Sequence, residues 1–154
     1  MAVLMTHPYP LDAVAADTEY AKKVLGDIGA QLSDTFQCIG KPHISLGDAT
    51  QPKDAPFDPA PFAGRLILGG NIISADIGHV PGGQTRITII RTTEDQCGQI
   101  HVGKSDLNCI SLTSYTGITI GDNVHFEPRV TILDSPGHPI DRRVPDIPEN
   151  KTMA

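Results

Sequence analysis

The sequence has no tryptophan, and its few Phe and Tyr bring the aromatic share to only 5%. A core built on large rings is therefore excluded. Cysteine is scarce as well: Cys38, Cys97 and Cys109 form no C-x-x-C pair, and an odd count does not make a disulfide framework. Each reads as a small buried apolar residue, and a reducing cytoplasm is the expected compartment. Basic charge is short, with 12 Lys and Arg against 18 Asp and Glu, a net charge of −6 and a pI near 5.3. An acidic chain without a Lys/Arg cluster is a poor partner for nucleic acid or an anionic membrane. No long hydrophobic run exists. The stretch from Leu66 to Ile73 is broken by Gly69, Gly70 and Asn71 and is too short to span a bilayer. The first residues show no basic region followed by an apolar one, so no signal peptide is expected.

What is present is punctuation. Gly and Pro together make 28 of 154 residues, which argues for many turns and against a helical bundle. The 39% of apolar residues still suffices for a packed core, and the length suits one domain. Three zones follow. Residues 1–40 hold the one helical pattern, in which Leu11, Val14, Ala15, Ala21, Val24, Leu25 and Ile28 recur at spacings of three and four. Gly26 and Gly29 read as its stop signals. Residues 41–64 carry Pro42, Pro52, Pro56, Pro59 and Pro61 and read as an extended connector, because Pro lacks the donor that a helix or central strand needs. From residue 65 onward short β-branched runs alternate with Gly, Asn and Asp: Leu66–Leu68, Ile87–Ile90, Ile100–Val102, Ile118–Ile120 and Val130–Leu133.

Some of these runs repeat. From Ile120 the chain reads in sixes, with Ile120, Phe126 and Ile132 opening successive hexads and Val124 and Val130 four places on. Val102-Gly103 precedes Ile120-Gly121 by eighteen residues, or three hexads. Such a period suits a three-sided β-coil whose backbone groups pair with the coils above and below. It predicts short parallel strands over residues 118–133, with Ile120, Val124, Phe126, Val130 and Ile132 turned inward. An antiparallel β-sandwich gives a similar strand spacing, and the pattern alone leaves it open.

The stretch from Ile100 to Arg143 also carries a resemblance. Ile100-His101-Val102-Gly103-Lys104 and Ile118-Thr119-Ile120-Gly121-Asp122-Asn123-Val124 resemble the coils of hexapeptide-repeat acyltransferases. The segment Val130-Thr131-Ile132-Leu133-Asp134-Ser135-Pro136-Gly137-His138-Pro139-Ile140-Asp141 resembles the catalytic segment of their galactoside and maltose O-acetyltransferase branch. The resemblance implies a mainly β fold, a left-handed parallel β-helix behind an N-terminal α-helix, occupying residues 65–154 with a catalytic loop at 134–150. It further implies a homotrimer with sites between subunits. The activity implied is transfer of an acetyl group from acetyl-CoA, the co-substrate, to a sugar or similar hydroxyl, with no metal. His138 then matches the family's general base, and Asn108, thirty residues earlier, its active-site Asn. Two departures stand out. Where the family often has a carboxylate two coils before the His, the nearest residues are Ser114 and Tyr115, which with Asp134 form the candidate substrate-binding set. Further hexads that wall the CoA pocket have no counterpart between the catalytic segment and Ala154.

The chemistry is consistent with those assignments. A sugar hydroxyl is a poor nucleophile and needs a base that exchanges protons near neutral pH, which imidazole does. A partner must orient the imidazole, and Asp134 and the loop carbonyls lie near in sequence. The thioester oxygen needs a donor as it becomes negative; Asn108 suits orienting the acceptor hydroxyl at least as well. The bland alternatives are a solvated loop histidine at His138 and a coil corner at Asn108, where Asn tolerates left-handed geometry. His101 and His125 read as outward surface residues. Two other functions stay open: a non-catalytic truncated β-helix that assembles or binds glycans, and a β-helix zinc enzyme of the carbonic anhydrase type. The six histidines include no short ligand pair.

Overall fold

The computed structural model of the protein describes residues 11–74 and 83–135. The chain enters through α1 (Leu11–Asp27). Its buried face runs through Thr18, Ala21 and Leu25, three and four residues apart, as the sequence periodicity requires. Leu11, counted in the apolar stripe, lies outside the packing and is 87% exposed. Gly26 falls inside the helix, so the stop is made by Gly29. There φ is +74°, and the amides of Gly29 and Ala30 reach back to the carbonyls of Gly26 and Leu25. A Cβ at Gly29 would lie 2.8 Å from the Cα of Ala63, which adds a second reason for glycine at this C-terminus.

Twelve short strands follow among the described residues. One sheet orders β1 (Gln31–Leu32), β4 (Leu66–Leu68), β8 (Ile100–Val102) and β11 (Ile118–Ile120). A second orders β2 (Cys38–Gly40), β5 (Ile72–Ser74) and β9 (Leu107–Asn108). The third orders β3 (His43–Asp48), β6 (Arg86–Thr93), β10 (Ser111–Ser114) and β12 (Thr131–Leu133). Every pairing within these rows is parallel. Among the described residues the one antiparallel pairing is β7 (Gln96–Cys97), which folds back on β6 as a hairpin. Each of the first three passes of the chain therefore lays one strand on each sheet before the next stacks above it, and the fourth adds β11 and β12. The architecture is mainly β, with parallel sheets and one helix, and is compatible with a parallel β-helix.

Register explains the core. Leu66, Ile100 and Ile118 are aligned partners, as are Leu68, Val102 and Ile120. Ile44, Ile87, Leu112 and Ile132 align on the third sheet. The buried interior is thus a set of aliphatic columns, each residue covering the one below. Burying one such side chain contributes about 1.5–3 kcal/mol. In the last described pass Ile120 and Phe126 are buried, and Val130 and Ile132 pack against the core part-buried. Val124, expected inside, is 38% exposed. Asn123 takes φ +58° and the Val124 amide bonds to the Ser105 hydroxyl at 2.8 Å, which turns the chain outward for two residues before Phe126 returns.

The first pass lies in residues read from sequence as helical segment and connector. His43–Asp48, within the expected connector, is a six-residue strand paired along its length with β6. The Pro-rich part after it is tied down. Asp48 accepts from Thr50, from Gln51 and, at 3.2 Å, from Arg91. Gln51 exchanges two bonds with the Asp58 backbone, and Phe57 stacks on buried Phe62 with centroids 5.9 Å apart. Burial pushes the Asp48 carboxyl up, but the bonds from Thr50, Gln51 and Arg91 outweigh it and bring it down to about 2. No helix among the described residues is long and apolar enough to cross a membrane.

Candidate functional site

Asn108 closes β9. Its neighbour Leu107 is buried, so alternation along the strand points Asn108 outward, where it is half-buried. It lines a groove of about 420 Å³ together with Ile73, Lys104, Asp106, His125 and Phe126. The groove has a simple cause. The second sheet holds three strands, β2, β5 and β9, and the segment after Asn123 does not form a fourth. That segment bulges outward instead, leaving an open flank beside β9.

The corner that frames the groove is stitched by side chains. Asp122 accepts the Lys104 amide at 2.7 Å. The Ser105 hydroxyl donates to the Gly121 carbonyl at 2.7 Å while accepting from Val124. Asp106 accepts the Asn71 amide, and Asn71 in turn accepts that of Gln37, both at 2.9 Å. One polar side chain per pass thus satisfies a backbone N–H of the pass below, which a corner would otherwise leave without a ladder partner.

Asp134, Ser114 and Tyr115 are also brought together, in a different way. Asp134 follows β12, and its carboxylate reaches down onto the turn after β10. It accepts from the Ser114 hydroxyl and from the Tyr115 and Gly117 amides at 2.7 Å each, from the Thr116 amide at 3.0 Å and from the Thr116 hydroxyl at 3.2 Å. Ser114 is fully buried and also accepts the Gln99 amide at 3.1 Å. Burial pushes the Asp134 carboxyl up, but the bonds from Tyr115, Ser114, Thr116 and Gly117 outweigh it and leave it below the usual carboxylate range. The carboxylate is occupied by five protein donors, so contact with a ligand would require breaking them. Tyr115 takes part through its backbone.

His138 lies outside the described residues, as does the rest of the expected catalytic loop after Ser135. The residue that sequence reasoning passed over is His125. It does face outward, with its side chain 84% exposed, and its Nε2 is 3.6 Å from the Glu127 carboxylate. Yet it lines the same groove as Asn108. The signal available was positional: Asn108 directly follows an inward residue and His125 directly precedes one, so both sit on the outer flank. Cys38, Cys97 and Cys109 are buried, and none is in a disulfide. Burial, and secondarily the Asp17 charge, push the Cys38 thiol up to about 12. Among the described residues no group of three or more His, Cys, Asp or Glu is placed to hold a metal. No family model, curated protein or solved structure matches the chain.

Proposed function

We propose that the protein is an O-acetyltransferase that moves an acetyl group from acetyl-CoA to the hydroxyl of a sugar or a similar small acceptor. One observation carries the reading: Asn108, thirty residues before His138 in the Gly137-His138-Pro139 segment, lines an open groove on the flank of a stacked parallel coil. In this reading the coil is left-handed and built on hexapeptides, and three copies assemble with sites between subunits. Asn108 binds and orients the acceptor hydroxyl. His138 takes the hydroxyl proton as the oxygen attacks the thioester carbonyl carbon. The carbon–sulfur bond then breaks, and the departing thiolate recovers the proton as the free thiol of CoA.

The test is thiol release from acetyl-CoA, with product analysis, against a panel of simple sugars. His138→Ala should lower transfer by about 10²–10⁴, the span for losing a general base, and leave acetyl-CoA binding nearly unchanged. An Ala variant that keeps most of the wild-type rate rules out His138 as the base. Sugar binding without any turnover of acetyl-CoA favours a glycan-binding protein instead. A monomer mass by light scattering at micromolar concentration argues against the trimer.

A further inference from the structure

The groove holds an imidazole that the proposed reaction does not use. His125 and Asn108 belong to successive passes of the coil, eighteen residues being the repeat between Val102 and Ile120, yet both line one concave flank. The outward turn at Asn123 is what places His125 there. It depends on a left-handed non-glycine residue, φ +58°, and on the Ser105 hydroxyl holding the Val124 amide. A coil in strict register would not present these residues on such a bulge.

We propose that His125, oriented by Glu127, determines acceptor specificity in this groove by bonding a second hydroxyl of the acceptor beside the one held by Asn108. This rests on the acyl-transfer reading. Glu127 Oε1 lies on the Nε2 side of the ring at 3.6 Å, beyond direct hydrogen-bond range. An imidazole offers one ring nitrogen as a donor and the other as an acceptor, so it can meet a hydroxyl in either sense. Of the other polar groups along the groove, the Ser105 hydroxyl is engaged with Gly121 and Val124 and one Asp106 oxygen with the Asn71 amide, while Lys104 and Asn123 line its rim. Asn108 offers an amide donor and a carbonyl acceptor. The apolar parts of Ile73, Val124 and Phe126 line the same groove and provide a face for the C–H side of a sugar ring. The acceptor class that fits is a polyol with neighbouring hydroxyls, one donating to His125 and one meeting Asn108.

The test measures steady-state transfer by the full chain with methyl galactoside and methyl glucoside, varying acceptor and acetyl-CoA separately. His125→Ala should raise the acceptor KM about tenfold, the cost of one ligand hydrogen bond of ordinary strength. The KM for acetyl-CoA and kcat should change little. His125→Gln, which keeps an acceptor and a donor, should recover most of the loss, and Glu127→Gln should fall between. A merely structural role would move the thermal midpoint and would not be rescued by Gln. An unchanged acceptor KM in His125→Ala overturns the proposal. If the wild type transfers to neither sugar, the acyl-transfer reading fails, and binding decides the fate of His125. Imidazole nitrogen signals, with His125 assigned by its loss in the Ala variant, are followed as methyl galactoside is added. A response at His125 that Asn108→Ala abolishes supports the shared site; no response overturns it.

Discussion

Replacing Asp134 by alanine should destabilise the protein measurably, although the residue lies at the surface just past the last described strand. Five donors converge on this carboxylate, three of them backbone amides of the Tyr115–Gly117 turn. A hydrogen bond to a charged group contributes about 1.5–3 kcal/mol net when its partners are sheltered. Thr116 and Gly117 are exposed and regain water on truncation, so their share is small. Ser114 is fully buried, and its hydroxyl can turn to the Gln99 carbonyl at 3.1 Å. The expected loss is therefore about 1–3 kcal/mol. For a chain of this length each kcal/mol moves the midpoint by about 2–4 °C. Far-UV circular dichroism on urea titration suits a protein without tryptophan. Amide exchange at Tyr115 and Gly117 should accelerate in the variant. The acid dependence gives an independent check. The folded carboxyl titrates below its ordinary value of 3.8, so its stabilisation is complete above that pH and is lost as pH falls through the lower folded value. Asp134→Ala should lack that component of acid unfolding. A variant within about 0.5 kcal/mol of wild type, the scatter of ordinary surface substitutions, with unchanged exchange at these amides would refute the clasp.

Arg91→Ala removes the cation beside Asp48, which keeps its bonds from Thr50 and Gln51, and should cost about 1–3 kcal/mol by urea titration; wild type should also lose stability as pH falls from 3.8 to about 2, where Asp48 is half protonated. Gly70→Ala should be strongly destabilising, because a Cβ there runs into the Ser105 backbone of the next pass; a midpoint within a degree or two of wild type would contradict that packing. Cys38, with its thiol raised to about 12 and no exposure, should resist thiol reagents at pH 8 until urea unfolds the chain, as mass spectrometry of labelled peptides would show.

The later passes were legible because nothing interrupts them: β8 to β11 is one uninterrupted eighteen-residue turn, with Ile100 and Ile118 in register. The earlier passes obey the same geometry, yet Ile67 pairs with Gln31 and His101 across gaps of about twice that length. The 49–64 excursion and the β6–β7 hairpin sit inside those gaps and hide the period. The two-residue strand at Gln31–Leu32 carries no pattern of its own and is strand only because β4 lies beside it. Asn108 was reachable through its alignment with the resemblance. The groove was not, because it arises where the fourth pass fails to complete a sheet, and hexad counting placed Val124 inside at that very point. The Asp134 clasp needed coordinates, since a carboxylate bonded across nineteen residues to Tyr115 leaves no local trace.

Helix α1 also governs how copies of this chain can meet. The edge of β2 facing away from β5 would present bare N–H groups, but Thr18 Oγ1 accepts the Cys38 amide and Asp17 accepts that of Gly40, both at 2.9 Å. A stack of parallel strands is a template for its own continuation, and fibres grow when one molecule's last edge seats on another's first. Here the first edge of this sheet is already occupied by side chains of the same molecule. Head-to-tail growth through it is blocked, so an end-on polymer would first have to displace the helix. Removing the Thr18 hydroxyl and the Asp17 carboxylate would leave the Cys38 and Gly40 amides on that edge open to pairing.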